Sequence, residues 1–226
     1  MDQRHFSRTL LALTEICGIR FTEEQALMCY EHVSLMLEWN LRCNLTRITA
    51  PEEIIEKHLL DSLIPARWLP QEGSAMDIGS GPGFPGIPMK ILHPKLDMLL
   101  LESHRKKVSF LKVVISKLPL QDLQALQGRW EDLADTRHPL LMQPLRLAMM
   151  RAVKPEPGHI HDAASRLLAP GGVFVWWAGP GADLNRLDRM CEGTEKGEMI
   201  FDGRTTYSLP SASQPRYLFI WRKRDH

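Results

Sequence analysis

Apolar positions in the first 70 or so residues recur at helical spacing. Phe6, Leu10, Leu13 and Ile16 form one stripe, and Ala26, Cys29, Tyr30, Val33 and Leu37 form a second. Thr22 with Gln25 has the capping-box spacing that opens the second helix. Thr49 with Glu52 repeats that spacing before IIEKHLLDSLI, which reads as a further helix. From Ser74 the texture changes to short apolar runs alternating with helical patterns. AMDI, LDMLLLE, LQALQG, LRLAMM and GGVFVWWAG read as strands; IPMKIL, SHRKKVSFLKVVISKL and GHIHDAASRLL read as helices. Such alternation predicts an α/β fold with a mostly parallel sheet covered by helices. GEMIFDG and RYLFIWRKR are expected to pair antiparallel at the sheet edge, for a total of seven strands. The expected organisation is a single domain over 1–226. Residues 1–70 form a helical extension packed on the same core as 71–226.

Composition narrows the class. Hydrophobic residues make up 44% and charged residues 24%, an ordinary globular balance. No apolar run approaches the roughly 20 residues that span a bilayer. MDQRHFSRTL has no apolar stretch of a secretion signal, so a cytoplasmic protein is expected. Cys17, Cys29, Cys43 and Cys191 form no C-x-x-C pair and read as reduced, mostly buried thiols rather than a zinc site. The net charge of +1 offers no support for nucleic-acid binding, so any such support must be local.

The stretch MDIGSGPGFPGIP holds the densest chemistry. Gly81, Gly83 and Gly86 satisfy G-x-G-x-x-G, but Asp77 stands in the last turn of the preceding strand. A carboxylate there repels a pyrophosphate and attracts a cationic ligand. No Gly-Lys-Ser/Thr follows, which excludes a Walker A loop. Glu102 ends the next strand, where an acidic residue can accept both ribose hydroxyls of an adenosine; a surface ion pair with Arg105 or Lys106 is the alternative. After the third strand, the backbone at Arg129 and Trp130 can meet an adenine, with the Trp130 ring beside it; a plain turn into a helix explains the segment as well.

Asp77 followed by Gly79, Ser80, Gly81, Pro82 and Gly83 resembles the first motif of S-adenosylmethionine-dependent methyltransferases. That ligand carries a sulfonium, an ammonium and a carboxylate and no phosphate. In this reading Asp77 orients the ammonium and the glycines let the backbone approach. The ordered set WNLRCNLT, KHLLDSL, DIGSGPGFPGIPMKILHP, HRKKVSFLKVV, QGRWEDL and RAV is more specific. It resembles the glucose-inhibited division protein B family, the bacterial small-subunit rRNA guanine-N7 methyltransferases, over nearly the whole chain to about residue 180.

The resemblance implies a class I, Rossmann-like methyltransferase fold and S-adenosylmethionine as cofactor. It implies methylation of N7 of a guanine in 16S rRNA near the decoding centre, at guanine 527 in the family, with the small ribosomal subunit as partner. N7 has a free lone pair, so alignment and water exclusion matter more than a general base. Arg151 is implied at the active site, beside the cofactor pocket; a structural ion pair is its other reading. Phe84 walls the base pocket or packs the helix start. His58 and Asp61, with Ser62, share a helix face. They line the methyl-transfer site or form a buried network that locks the N-terminal helices to the sheet. Asn40 and Asn44 to Thr46 divide between RNA contact and loop capping. The family's serine before the arginine is Met150 here, and the lysine of its LKG is Ala178, with Lys154 or Trp176 and Trp177 as stand-ins.

The competing readings are a methyltransferase for another substrate, a cofactor-binding ribosome-associated protein without catalysis and, more distantly, a nicotinamide oxidoreductase. His159, His161 and Asp162 resemble a metal motif, but at a helix start the rings diverge, and no metal is expected. Arg105 to Lys107, Arg222 to Arg224, Arg42, Arg47 and Arg67 are candidates for an RNA-facing surface. Nothing in the sequence demands a dimer, and a monomer is expected.

Overall fold

Helix α1 (Gln3–Ile16) buries Phe6, Leu10 and Thr14, an i, i+4, i+8 row. The Thr14 hydroxyl donates to Leu11 O at 2.9 Å, which makes its burial tolerable. The packed face therefore turns toward Thr14, and Ile16, expected on the stripe, is 74% exposed. Helix α2 (Glu23–Cys43) starts with the expected capping box. Gln25 N donates to Thr22 Oγ1 at 3.1 Å and Thr22 N to Gln25 Oε1 at 2.9 Å. The Gln25 amide also donates to Ile91 O at 2.8 Å, so the cap ties the extension to the sheet layer. Thr22→Ala is expected to lower stability by about 1 kcal/mol, read by urea denaturation.

The second expected cap does not form. Helix α3 (Pro51–Ile54) has Ala50 as N-cap and Pro51 as its first residue, with no side-chain cap bond. Pro51 presets the helical φ at that position, so the helix starts one residue after the point Thr49 would cap. The chain then widens into a π-helical turn, Ile55–Leu60, before α4 (Asp61–Leu63) and a 3₁₀ turn at Pro65–Trp68. The wide turn carries His58, and Asp61 follows it directly.

This is a computed structural model that describes residues 1–133, 143–151, 166–179 and 198–225. Among them β1 (Gly73–Ile78), α5 (Gly86–Leu92), β2 (Leu96–Glu102), α6 (Arg105–Lys117), β3 (Leu123–Gln127), α7 (Trp130–Leu133), β4 (Leu145–Arg151), β5 (Leu168–Ala178), β6 (Met199–Tyr207) and β7 (Arg216–Lys223) follow in order. The strands form a seven-stranded sheet in the order β3-β2-β1-β4-β5-β7-β6. The first five run parallel, and β7 pairs antiparallel with both β5 and β6. The expected edge hairpin is present. Its apolar run RYLFIWRK lies inside, and β6, with alternating exposure, forms the edge. The helix expected at 158–168 lies largely outside the described residues.

Pleating sends alternate residues to opposite faces. On one face Ala75, Leu147, Met149, Val175 and Trp177 share a core with Phe6, Leu10, Val33, Met36 and Leu59 of the extension. On the other, Met76, Ile78, Leu101, Ala148, Met150, Phe174 and Trp176 form a second core. Asp77 and Arg151 alternate with the second set, so both point toward the helical extension.

Candidate active site

The chain order reverses between β1 and β4, which lie side by side with β2 on the other flank. In open α/β sheets ligands bind beyond the strand ends at this crossing. The loop from Gly79 to Pro85 leaves β1 there and is tied down by its backbone. Gly79 N and Ser80 N donate to Leu101 O at 2.8 and 3.0 Å, and Gly83 N and Phe84 N donate to Ser80 O at 2.8 and 3.1 Å. The Ser80 hydroxyl donates to Asp77 O at 2.8 Å.

Asp77 is fully buried behind this loop. Its Oδ2 accepts from Gly86 N at 2.9 Å, at the start of α5. Its Oδ1 is buried and has no partner among the described residues. Burial pushes its pKa up to about 7, against the opposing pull of the Gly86 amide, the Arg151 charge and the Ser80 bond. The approach of Gly86 is close enough to forbid a side chain. A Cβ there would lie 2.5 Å from Leu100 Cδ2 and 2.7 Å from Asp77 Oδ2. Gly86→Ala is therefore expected to break the Asp77 bond and cost about 1–3 kcal/mol, measured by urea denaturation.

Glu102, at the end of β2, reaches back to the same loop. Its Oε2 accepts from Gly81 N at 3.0 Å, and its Oε1 accepts from His104 N at 2.8 Å and contacts His104 Nδ1 at 2.9 Å. Burial alone would raise its pKa; the His104 bonds, Lys107 and the Gly81 amide together hold it below the usual carboxylate range. Its nearest partners are thus the loop and His104.

Across the crevice, Arg151 ends β4 beside Trp177 of β5. Its Nη1 donates to Asp61 Oδ2 at 2.9 Å and its Nη2 to His58 Nδ1 at 3.2 Å. Its guanidinium lies 5.6 Å from the centre of the Phe84 ring. The His58 ring stacks on Phe84 at 4.6 Å with 12° between the planes, and His32 flanks the same ring at 4.8 Å. His58 Nε2 donates to Thr46 Oγ1 at 3.1 Å. Burial, then the Arg151 charge, pushes the His58 pKa down to about 3, so the ring is neutral with its proton on Nε2.

Asp61 accepts from four elements. Beside Arg151, its Oδ1 accepts from Tyr207 Oη at 2.6 Å, its Oδ2 lies 3.4 Å from Arg216 Nη1, and its carbonyl accepts from Trp177 Nε1 at 2.9 Å. Burial and the Asp61 charge push the Tyr207 pKa far up, so its hydroxyl remains a donor. Ser62 turns inward and donates to His58 O at 2.6 Å.

Known proteins share both sequence and shape with this chain. Residues 25–210 match the family model described as rRNA small subunit methyltransferase G, GidB. Ribosomal RNA small subunit methyltransferase G 1 of Syntrophobacter fumaroxidans is 49% identical over 95% of this chain and 96% of its own length. The protein named ribosomal RNA small subunit methyltransferase G in Moorella thermoacetica is 36% identical, over 97% and 91%. The chain belongs to the rRNA small subunit methyltransferase G family. It is an enzyme of the methyltransferase class. Its fold is also that of the M. jannaschii TYW2 structure in complex with AdoMet, with TM-score 0.54 at 14% identity, covering 74% of each chain.

Within this chain the expected residues separate into groups. Asp77, Gly79, Ser80, Gly81, Gly83, Phe84 and Glu102 meet at the β1 loop, and Phe84 links them to His58 and Arg151. Arg129 is exposed at the turn after β3, and Trp130 opens α7, partly buried against the second core. Met150 and Ala178, the two departures from the pattern of the resemblance, are buried in that second core, on the sheet face opposite Asp77 and Arg151. Asn40 and Thr46 bond each other at 2.9 and 3.0 Å, which is loop capping. Lys154, His159, His161, Asp162 and Cys191 lie outside the described residues. No cluster of three metal-ligating side chains exists among the described residues. Arg42, Arg47, Arg67, Arg105 and Lys106 are exposed, and Arg222 pairs with Asp202 at 2.8 Å.

Sequence reasoning missed His32, Trp177 as a donor, Tyr207 and Arg216. His32 carried one signal, a polar residue at helical spacing between Cys29, Val33 and Met36 on an apolar face. Tyr207 and Arg216 carried none, because their partner lies more than a hundred residues away in the chain.

Proposed function

We propose that this enzyme transfers a methyl group from S-adenosylmethionine to N7 of a guanine in 16S rRNA, at the family's guanine 527, within the small ribosomal subunit. The donor fits the residues present. Asp77 Oδ1 is a buried acceptor without a partner among the described residues, suited to an ammonium held directly or through water. The backbone of Gly79 to Gly83 can approach the methionine end, and Glu102 can accept from ribose hydroxyls by giving up part of its hold on Gly81 and His104. Arg129 and Trp130 are assigned to the adenine end. When bound, the donor supplies an electrophilic methyl carbon on a sulfonium.

The observation that carries the choice of N7 is the engagement of the candidate bases. His58 Nδ1 already accepts from Arg151, and both Asp61 oxygens accept from Tyr207 and Arg151. Neither group is poised to remove a proton, and N7 needs none removed. Arg151 is assigned to guanine O6 or a flanking phosphate through its remaining donors. His58 and Asp61 hold it in place, and Phe84 closes the pocket wall. A non-catalytic reading rested on Met150 and Ala178, whose side chains belong to the opposite face. The enzyme is assigned to the cytoplasm as a monomer, and no helix among the described residues is long and apolar enough to cross a membrane.

The test uses small subunits from cells lacking the protein, incubated with the purified enzyme and labelled S-adenosylmethionine. Label is expected in 16S rRNA, at a single guanine that N7-specific cleavage and primer extension detect. Label on another base atom or on protein would point to another methyl acceptor, and no label to the non-catalytic reading.

A further inference from the structure

His32 lies in the middle of α2, in the helical extension, yet its ring touches the loop that leaves β1. It is fully buried. Its Nε2 donates to Pro82 O at 2.7 Å, and its ring flanks Phe84 at 4.8 Å and Phe110 at 6.3 Å. Its Nδ1 is buried with no partner among the described residues. A buried imidazole with one unsatisfied nitrogen costs stability relative to an apolar side chain of similar size. Some other requirement therefore accounts for a histidine here.

The loop supplies one. Pro82 lies between Gly81 and Gly83, which have φ of +57° and +95°. Such a segment has much conformational freedom to lose, and the bonds of Gly79 to Phe84 to Leu101 O, Ser80 O and Glu102 Oε2 leave the Pro82 carbonyl to be held from elsewhere. The His32 bond anchors its outer turn from the opposite side. Gly83 also packs tightly here: a Cβ on it would lie 2.3 Å from Ile87 Cδ1 and 3.2 Å from His32 Nε2.

We propose that His32 is a positioning residue for the methyl-donor loop. Through Pro82 O and the Phe84 ring, it makes the helical extension part of the donor site. The proposal deepens the donor assignment above and rests on it. His32 itself touches neither substrate. Burial pushes its pKa down to about 4, so the bond is to a neutral ring across the working pH range.

The test compares His32→Leu with His32→Gln in the full chain. Glutamine keeps a donor that can reach Pro82 O, whereas leucine keeps volume without one. Calorimetric titration with S-adenosylmethionine is expected to give about a tenfold weaker Kd for the leucine variant and a value within about threefold of wild type for glutamine. The KM for the donor should rise in parallel while kcat changes less. Hydrogen exchange at the amides of Gly83 and Phe84 reads the loop without any ligand. It is expected to speed up by about tenfold in the leucine variant alone. A merely structural role predicts instead a changed melting temperature, unchanged exchange at these amides relative to their neighbours and no difference in donor affinity. That result overturns the proposal. Should wild type fail to bind the donor, the cofactor assignment falls, and the exchange measurement alone then decides the role of His32.

Discussion

Asp61→Ala is expected to lower the unfolding free energy by about 3–5 kcal/mol, the usual cost of breaking a buried ion pair from one side. Asp61 is 3% exposed and is the common acceptor for Arg151, Arg216 and Tyr207. Alanine leaves two guanidinium groups facing each other and a buried hydroxyl without its partner. It also leaves Arg216 worse off than it already is, because its Nε has no partner among the described residues. Asp61→Asn retains an acceptor for Tyr207 and is expected to cost less than alanine. Urea denaturation of both variants measures this. A loss below about 1 kcal/mol for alanine, the scale of an exposed pair, would mean that the network contributes nothing to folding. Activity should fall further than the loss of folded protein explains, since Asp61 and His58 orient the Arg151 fork.

The second large effect is electrostatic. Asp77→Asn is expected to weaken S-adenosylmethionine binding by at least about tenfold above neutral pH, the size of a lost charge-assisted bond. The wild-type affinity should also depend on pH. The Asp77 carboxyl titrates near pH 7 in the free protein, well above the ordinary 3.8. A bound ammonium favours the carboxylate, so binding expels the proton and weakens by up to about tenfold per unit as pH falls below 7. Folding runs the other way. Between about pH 4 and 7 the folded chain holds a proton that the unfolded chain has lost, so the Asp77 contribution to stability declines as pH rises through this window and is level above it. Asparagine removes both slopes. Titration calorimetry and thermal melts at pH 5.5 and 8, on both proteins, measure them. Equal donor affinity in the two proteins at both pH values would remove Asp77 from the site.

The parts of the site differ in how local their signals are. Asp77 and its glycines are a local signal: a strand, a carboxylate and a turn that needs glycine occur within ten residues. Glu102 is nearly as legible, because parallel pairing puts the end of β2 beside the end of β1. The capping box at Thr22 is local too and formed as expected. The cap at Thr49 failed because Pro51 shifted the helix start by one residue, a competition visible only once the backbone is built. His58 and Asp61 drew attention through their helical spacing. Whether they lined an open site or locked the layers together was undecidable, because neither spacing nor composition reports what faces a helix.

Periodicity and turn chemistry were enough to determine most of the strands, the edge hairpin, the glycine loop and the places of Asp77 and Glu102 at two strand ends, since each depends on neighbours a few positions apart. The tertiary structure alone decided that Asp61 gathers donors from β4, β5, β6 and β7, that His32 reaches the loop, and that Met150 turns away from it. Those contacts join residues from distant stretches of the chain, and they form only because sheet register and helix packing aim particular side chains at one another after the core has closed.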